Sequence, residues 1–251
     1  MTTSLERLRR ALKPVNDALA RTTGYRVARA GAFPHDCDPE ARGIIQSVLP
    51  YTLTSPERIY ALITAVRYIH DNGIDGSLVE CGVWRGGSMQ AAALTLLGRR
   101  AATRDLYLFD TFTGMTRPND RDHPVGADDS AETLVARDPS LLARASLEDV
   151  KAGMARVAYP SERVHYVVGD VLTTIPSQAP EGISLLRLDT DWYTSTRHEL
   201  THLFPRVVSG GVLIVDDYGD WQGARDATDE VLRDAGLLLV RVAGARIAVK
   251  P

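Results

Sequence analysis

The stretch that most constrains the fold of this chain runs from residue 183 to residue 218. It holds two apolar runs, 183–188 and 212–215, on either side of a helix-like segment at 195–207. A single charged residue, Arg187, interrupts the first run. A strand, a helix and a second strand in so short a stretch make a βαβ unit, so we predict two parallel strands that lie side by side.

Carboxylates follow both predicted strands. Asp189 comes directly after the first strand, and Asp216 and Asp217 come directly after the second. Because ligands of open α/β folds bind at the carboxyl ends of the strands, we expect the three side chains to converge there. Three neighbouring carboxylates must repel one another or share a cation, and their oxygens suit Mg2+. We therefore predict a divalent metal site; the alternative is that Asp216 and Asp217 cap the next turn.

Elsewhere the chain alternates between strand-like and helix-like segments. This alternation predicts an α/β domain with a doubly wound, mostly parallel sheet. A link containing Gly244 suggests that the last two strands form an antiparallel hairpin. The further strands are predicted at 78–81, 106–109, 164–168, 237–242 and 246–249, and the further helices at 87–97, 146–155 and 224–234.

We assign residues 1–75 to an N-terminal helical extension and residues 76–251 to the main domain. An amphipathic helix opens the extension, and a break near Pro34 precedes helical periodicity at 39–75. Ser55 is expected to cap the longer helix there, with a proline at its first position. The opening helix would cap the core or make a dimer contact, and we expect a homo-oligomer.

A long polar segment at 113–140, rich in Asp, Pro and Gly, follows the second predicted strand of the main domain. Long loops inside a compact domain are usually functional, so we predict that this one is a lid. His123 lies within it and is a candidate to touch an acceptor or to assist proton removal.

Composition excludes several classes of function. The formal net charge is -3, which disfavours nucleic acid and anionic membranes as main partners. No apolar run of about 18 residues is available to span a bilayer. The two cysteines, Cys37 and Cys81, are too few for a disulfide framework. We expect a cytoplasmic protein.

The loop after the first strand of the main domain carries Gly82, Gly86 and Gly87 ahead of a helix. Glycines there let a ligand approach the backbone closely at a helix N-terminus. The segment is neither a dinucleotide fingerprint nor a P-loop, and Glu80 favours a ligand with a cationic group over one with a pyrophosphate. The alternative is a plain tight turn that needs glycine.

Acids also follow the next two strands, as Asp110-Thr111 and as Gly169-Asp170. A carboxylate that ends the second strand of a doubly wound sheet suits a ribose diol, because it accepts two hydroxyl hydrogen bonds. For Asp110 the alternative is a helix cap or a solvated turn. Beside the glycine loop, these acids describe a nucleoside pocket without a phosphate site, which is the shape that S-adenosylmethionine needs.

Four segments of the chain, 80–87, 110–114, 188–196 and 210–218, closely resemble the macrocin (TylF-type) O-methyltransferases. These are metal- and S-adenosylmethionine-dependent enzymes of natural-product and sugar tailoring. The resemblance covers about residues 50–235 and implies a Rossmann-like class I methyltransferase fold.

The resemblance also implies roles for individual residues. Asp189, Asp216 and Asp217 match the Mg2+ ligands, and Asp189 is also the proposed general base. Thr52 and Leu53 match a segment that closes over the cofactor. The other cofactor residues are implied at the methionine end (Glu80, Gly82, Arg85, Gly86 and Gly87), at the ribose (Asp110, with Thr111) and beside the adenine (Gly169 and Asp170).

Two departures from the family pattern lie beside the predicted metal site. Trp192 stands where the family usually has Leu, and Thr190 stands where it usually has Gly. Both lie on the acceptor side, so the identity of the acceptor stays open. Aromatic residues there could stack on a sugar or macrocycle, or they could wall the cofactor cleft. The acceptor-side candidates are His123, Trp192, Tyr193, Tyr218 and Trp221.

The chemistry of the predicted site favours methyl transfer to a sugar hydroxyl. Such a hydroxyl is a weak acid, and Mg2+ lowers its pKa by direct coordination. Three Asp ligands leave room for the two oxygens of a diol, and Asp189 can accept the proton. A phenol or catechol acceptor is the alternative, although Trp192 stands where catechol enzymes carry a Lys. A non-catalytic cofactor-binding protein is the rival from another class.

Overall fold

A computed structural model describes residues 33–127 and 129–251 of the chain. The amphipathic helix predicted at the start of the chain falls within residues 1–32 and lies outside the described residues. Pro34–Pro251 form one compact unit. Among the described residues, no helix is long and apolar enough to cross a membrane.

Seven strands form one sheet in the order β3-β2-β1-β4-β5-β7-β6. Strands β1 to β5 pair in parallel, whereas β7 runs antiparallel to both β5 and β6. This confirms the predicted mostly parallel sheet with an antiparallel C-terminal end. The strands are β1 (Ser77–Cys81), β2 (Leu106–Asp110), β3 (Val164–Val168), β4 (Ile183–Leu188), β5 (Val207–Val215), β6 (Val240–Val242) and β7 (Ala245–Val249).

Helices cover both faces of the sheet, as the predicted doubly wound fold requires. Alternate residues of each strand point to opposite faces, so Leu78 and Leu185 belong to one apolar cluster while Val79 and Leu186 belong to the other. Helices α2, α3 and α5 pack on the first face, and α6, α7 and α8 pack on the second. The helices are α1 (Pro39–Val48), α2 (Pro56–Asp71), α3 (Gly87–Gly98), α4 (Ala131–Arg137), α5 (Leu147–Ala155), α6 (Val171–Thr174), α7 (Tyr193–Leu203) and α8 (Gln222–Leu232).

Helices α1 and α2, which belong to the predicted extension, pack into the same compact unit as the sheet. The predicted cap of α2 is confirmed, because the Ser55 hydroxyl accepts a hydrogen bond from Arg58 N with Pro56 at the first helical position. Arg67 on α2 joins the two helices through ion pairs of 2.5 Å to Asp38 and 2.6 Å to a glutamate of α1.

The predicted polar loop at 113–140 is wrong in its second half, where α4 and a short 3-10 turn form. Ser130 supplies the missing start signal, because its hydroxyl accepts a hydrogen bond from Thr133 N and so caps α4. Ala131 at the first position of this helix is fully buried. The irregular part of the segment therefore ends at residue 130.

The predicted bounds of the central βαβ unit also need correction. Helix α7 spans Tyr193–Leu203 instead of 195–207, since Pro205 cannot continue the backbone ladder. Strand β5 begins at Val207, five residues before the predicted start, and Gly210 N pairs with the C-terminal strand through Lys250 O at 2.7 Å. Gly210 and Gly211 thus lie within β5 and not before it.

Candidate active site

A cavity of about 310 Å³ opens at the carboxyl ends of the five parallel strands. One residue from the end of each of these strands contributes to its lining: Gly82, Asp110, Gly169, Asp189 and Asp216. The site therefore lies at the sheet edge that the strand-end carboxylates indicated.

One side of the cavity gathers most of the residues predicted to bind the cofactor. Asp110 organises this side, because its carboxylate accepts hydrogen bonds from the amides of Val83 and Phe112, both at 2.7 Å. Asp170 similarly accepts from Leu172 N at 2.9 Å. The predicted cofactor residues that line the cavity are Thr52, Leu53, Gly82, Asp110, Thr111, Gly169 and Asp170.

Four predicted cofactor residues lie outside the lining. Arg85 pairs with Asp149 at 2.6 Å and donates to a backbone carbonyl of the segment before α2. Gly86 starts α3 with a left-handed φ of 79°, and Gly87 packs so tightly that a Cβ there would lie 2.6 Å from the Tyr51 carbonyl. The fourth residue, Glu80, is buried beneath the site.

Gly82 combines the two interpretations of the glycine loop. Its φ of 81° is left-handed, and a Cβ would lie 1.9 Å from the carbonyl oxygen of Asp189. Glycine at this position lets the loop after β1 lie directly against the loop after β4. The same residue lines the cavity, so a tight turn and a ligand-facing surface coincide.

Arg187 is a buried cation at the centre of the site. Its role was not predicted, and the only signal in the sequence was a charged residue within an apolar strand. Its neighbour in register on β1 is Glu80, whose Oε1 lies 2.6 Å from Arg187 Nη1. Both side chains are almost fully buried. Burial raises the pKa of Glu80, and the guanidinium opposes that rise.

The same guanidinium holds the predicted metal ligands. Arg187 Nη1 lies 2.7 Å from Asp189 Oδ2, and Nη2 lies 2.9 Å from Asp216 Oδ1. Nη2 also donates to the hydroxyl of Thr54, which precedes α2 and lines the cavity. One side chain thereby ties β1, β4, β5 and the segment before α2 together.

Asp189, Asp216 and Asp217 converge as predicted, with one carboxylate oxygen of each within 4.8 Å of the others. Asp216 and Asp217 are buried, whereas 29% of the Asp189 side chain is exposed. Burial, together with the neighbouring carboxylates, raises the pKa of Asp189 and of Asp217. An all-oxygen set this crowded fits a hard divalent cation, which would relieve the repulsion.

Two further residues, Asp191 and Arg58, contact the acidic cluster, and neither was identified from the sequence. Asp191 lines the cavity with a left-handed φ of 62°, and its amide donates to Asp217 Oδ2 at 3.0 Å. Arg58 on α2 pairs with Asp216 at 2.7 Å and also with Asp220. Asp191 sits in the motif that contains Asp189, but nothing local in the sequence connects Arg58 with a residue 158 positions away.

Two of the five acceptor-side candidates reach the cavity. The Trp192 and Trp221 rings meet edge to face with centroids 5.0 Å apart, and Trp192 Nε1 donates to Thr116 O at 2.9 Å. The remaining three, His123, Tyr193 and Tyr218, lie outside the lining.

Comparisons with known proteins agree on one group of enzymes. A family model described as macrocin-O-methyltransferase (TylF) matches residues 9–238. One relative from Streptomyces olivaceus is named 8-demethyl-8-(2,3-dimethoxy-alpha-L-rhamnosyl)-tetracenomycin-C 4'-O-methyltransferase. It is 32% identical over 84% of this chain and 78% of its own length. The mycinamicin III 3''-O-methyltransferase of Micromonospora griseorubida is 30% identical over 67% of this chain and 65% of its own length.

A solved structure gives the same result for the fold. The O-methyltransferase NovP matches with a TM-score of 0.70 at 26% sequence identity, covering 96% of this chain and 98% of NovP. The Rossmann-like class I methyltransferase fold expected from the sequence motifs is thereby confirmed.

Proposed function

The chain belongs to the macrocin-O-methyltransferase family, and we propose that its acceptor is a sugar hydroxyl on a glycosylated natural product or an oligosaccharide. Family membership makes the protein an O-methyltransferase, whose methyl donor we take to be S-adenosylmethionine. The rhamnosyl substrate in the name of one relative supports the sugar acceptor. The observation that carries the proposal is that three carboxylates converge in the cavity, next to the side that gathers the predicted cofactor residues.

The donor would occupy the side of the cavity formed by the loops after β1, β2 and β3. When bound, S-adenosylmethionine supplies an electrophilic methyl group on a sulfonium. Oδ2 of Asp110 accepts two backbone amides and Oδ1 accepts one, so Oδ1 keeps capacity for a ribose hydroxyl. Gly82 leaves the loop backbone open to a close approach, and Asp170 stands at the far end of the same side. These positions support the donor roles assigned from the sequence.

The metal role rests on the donor set of Asp189, Asp216 and Asp217. When bound, Mg2+ lowers the pKa of a hydroxyl that it coordinates. The three side chains would hold the ion, and Arg187 and Arg58 would keep Asp189 and Asp216 in place before it arrives. Because protein sites leave Mg2+ several open positions, two vicinal oxygens of a sugar can complete the set.

Asp189 is the proposed general base. Its side chain is 29% exposed toward the cavity, whereas that of Asp216 is 4% exposed, so Asp189 is the ligand that an acceptor can reach. Its Oδ2 receives Arg187, which fixes the carboxylate orientation while the other oxygen stays available for a proton. Removing the acceptor proton as the methyl is transferred leaves a neutral ether product.

In the experiment, purified protein and isotopically labelled S-adenosylmethionine are incubated with a panel of glycosides. Methylation in the presence of Mg2+ is compared with methylation in the presence of EDTA. Each glycoside is paired with the analogue that lacks the neighbouring hydroxyl, and a catechol is included. We expect methylation of a glycoside that depends on Mg2+ and falls strongly for the deoxy analogue. Methylation of the catechol alone would overturn the sugar acceptor, and activity unchanged in EDTA would overturn the metal role.

A further inference from the structure

The two helices beside the acceptor side of the cavity start without a normal cap. Helix α7 follows Trp192 and helix α8 follows Trp221, and neither N-cap residue makes a side-chain cap hydrogen bond. Helix starts favour Ser, Thr, Asp or Asn there, because a side-chain oxygen satisfies a free backbone N–H. An indole offers only a donor, so the first amides of both helices need acceptors from elsewhere.

One short segment, 119–125, supplies both acceptors. The Oδ1 of Asp122 accepts from Tyr193 N, the first amide of α7, at 2.8 Å. The carbonyl of the next residue, His123, accepts from Gln222 N, the first amide of α8, also at 2.8 Å. We name residues 119–125 the capping segment, since it replaces the missing caps of both helices.

Asp122 is fully buried and uses both carboxylate oxygens. Its Oδ2 accepts from Asn119 N at 2.7 Å, which closes the capping segment on itself. Burial raises the pKa of this carboxyl, while the two backbone amides oppose the rise. The positive end of the α7 dipole also stabilises a carboxylate at this position.

The surroundings of Asp122 leave no room for a larger neighbour. At Gly223 in the first turn of α8, a Cβ would lie 2.0 Å from Asp122 Oδ1 and 2.9 Å from Tyr193 N. The carboxylate is therefore enclosed between the starts of two helices, each of which follows a strand that carries metal-ligand candidates.

Because the capping segment accepts the first amides of both helices, the two N-cap positions can carry aromatic side chains. Trp192 and Trp221 meet edge to face there and line the cavity. We propose that Asp122 is a positioning residue that fixes the Trp192–Trp221 wall and thereby sets the affinity for the acceptor. The claim about acceptor affinity rests on the proposed function. The claim that Asp122 fixes the tryptophan pair concerns the ligand-free enzyme and can be tested without an acceptor.

The test compares Asp122→Ala with Asp120→Ala, an exposed aspartate in the same segment. In Asp122→Ala we expect the acceptor KM to rise about tenfold or more while kcat changes less than about threefold. The Kd of S-adenosylmethionine, measured by calorimetry, should stay within about twofold. Near-UV circular dichroism of the ligand-free protein should lose the signal of the tryptophan pair, and Asp120→Ala should match the wild type throughout.

Two variants keep the test decisive if Asp122→Ala does not fold. In Asp122→Asn the amide oxygen can still accept from Tyr193 N, but its NH2 group cannot accept from Asn119 N, so a partial rise of acceptor KM is expected. Gly223→Ala should raise the acceptor KM by displacing the carboxylate. In a double variant with Asp122→Asn, it should add less than its separate effect.

The outcomes separate this inference from the proposed function. A wild-type protein that methylates no glycoside refutes the sugar acceptor, and the dichroism of the free protein then still decides the role of Asp122. Wild-type dichroism and acceptor KM in Asp122→Ala would overturn the inference. An equal loss of donor and acceptor affinity in Asp122→Asn would also overturn it, because a general defect of folding would explain both.

Discussion

The carboxylates at the carboxyl edge of the sheet fall into two groups with different partners. Asp110, at the end of β2, accepts backbone amides from its own loop and from the loop after β1, and Asp170, just after β3, accepts one from its own loop. Asp189 and Asp216, after β4 and β5, are instead held by the guanidinium of Arg187 and crowd against further acids.

This difference separates the two halves of the site by chemistry. Amide dipoles satisfy a carboxylate locally and leave a shaped pocket suited to a neutral nucleoside. In the second half the acids outnumber the cations, because Glu80, Asp189, Asp216 and Asp217 gather around two arginines, Arg187 and Arg58. The second half therefore favours a divalent cation, whereas the first half does not need one.

Removing the central cation should break the acidic half most severely. In Arg187→Met the carboxylates of Glu80, Asp189 and Asp216 lose their buried partner, so we expect unfolding to cost about 3–5 kcal/mol less than in the wild type. Urea denaturation measures this change, and Arg99→Met, which removes a surface ion pair, should cost about 0–1 kcal/mol. Equal losses in the two variants would contradict the central role of Arg187.

Neutralising one acid in each half should separate their roles in turnover. Asp189→Asn removes a metal ligand and the proposed base, so kcat should fall by about two to three orders of magnitude. In Asp170→Asn the side-chain oxygen still accepts from Leu172 N, and kcat should stay within about threefold. Steady-state kinetics at saturating donor provide the measurement. Full activity in Asp189→Asn would exclude this residue as the base.

Metal addition should stabilise the protein through the acidic half alone. At a Mg2+ concentration one hundred times its Kd, we expect about 2.7 kcal/mol of added stability and a matching rise of Tm. The rise should vanish in Asp216→Asn with Asp217→Asn, and Asp110→Asn should retain it. Differential scanning calorimetry gives the readout, and a rise that survives the loss of both aspartates would place the ion elsewhere.

A smaller effect concerns Glu199, a buried carboxylate without an arginine partner among the described residues. Its Oε2 accepts from the Thr190 hydroxyl at 3.1 Å, and burial raises its pKa to about 8. The folded state then holds a proton that the unfolded state releases, so this group lowers stability as pH rises from about 4.5 to about 8.

Glu199→Gln should remove that dependence, which amounts to at most about 1.4 kcal/mol per pH unit for one proton. Stability measured by denaturation should therefore fall less steeply with pH in the variant than in the wild type. Parallel curves for the two proteins would show that Glu199 does not titrate in this range. Glu148→Gln, a change at an exposed position in the first turn of α5, should leave the slope unchanged.

The strand-end acids were predictable because their signal is local. A buried strand followed at once by Asp, repeated after a helix, predicts where Asp189, Asp216 and Asp217 meet. The cap at Ser55 follows equally from adjacent residues. The end of α7 also has a local signal, Pro205, whereas the start of β5 depends on long-range hydrogen bonds of Gly210 and Gly211 with Lys250.

The sequence by itself determined the alternation of elements, the edge of the sheet at which the cavity opens and the acids that converge there. Only the tertiary structure decided their partners: Glu80 and Arg187 are 107 positions apart, and Asp122 caps α7 across 71 positions. Such contacts depend on strand register and on how a distant loop packs, which no local pattern of residues specifies. Hydrophobic periodicity and the positions of strand ends follow from short-range geometry, whereas the contacts between distant side chains are set by the packing of the fold.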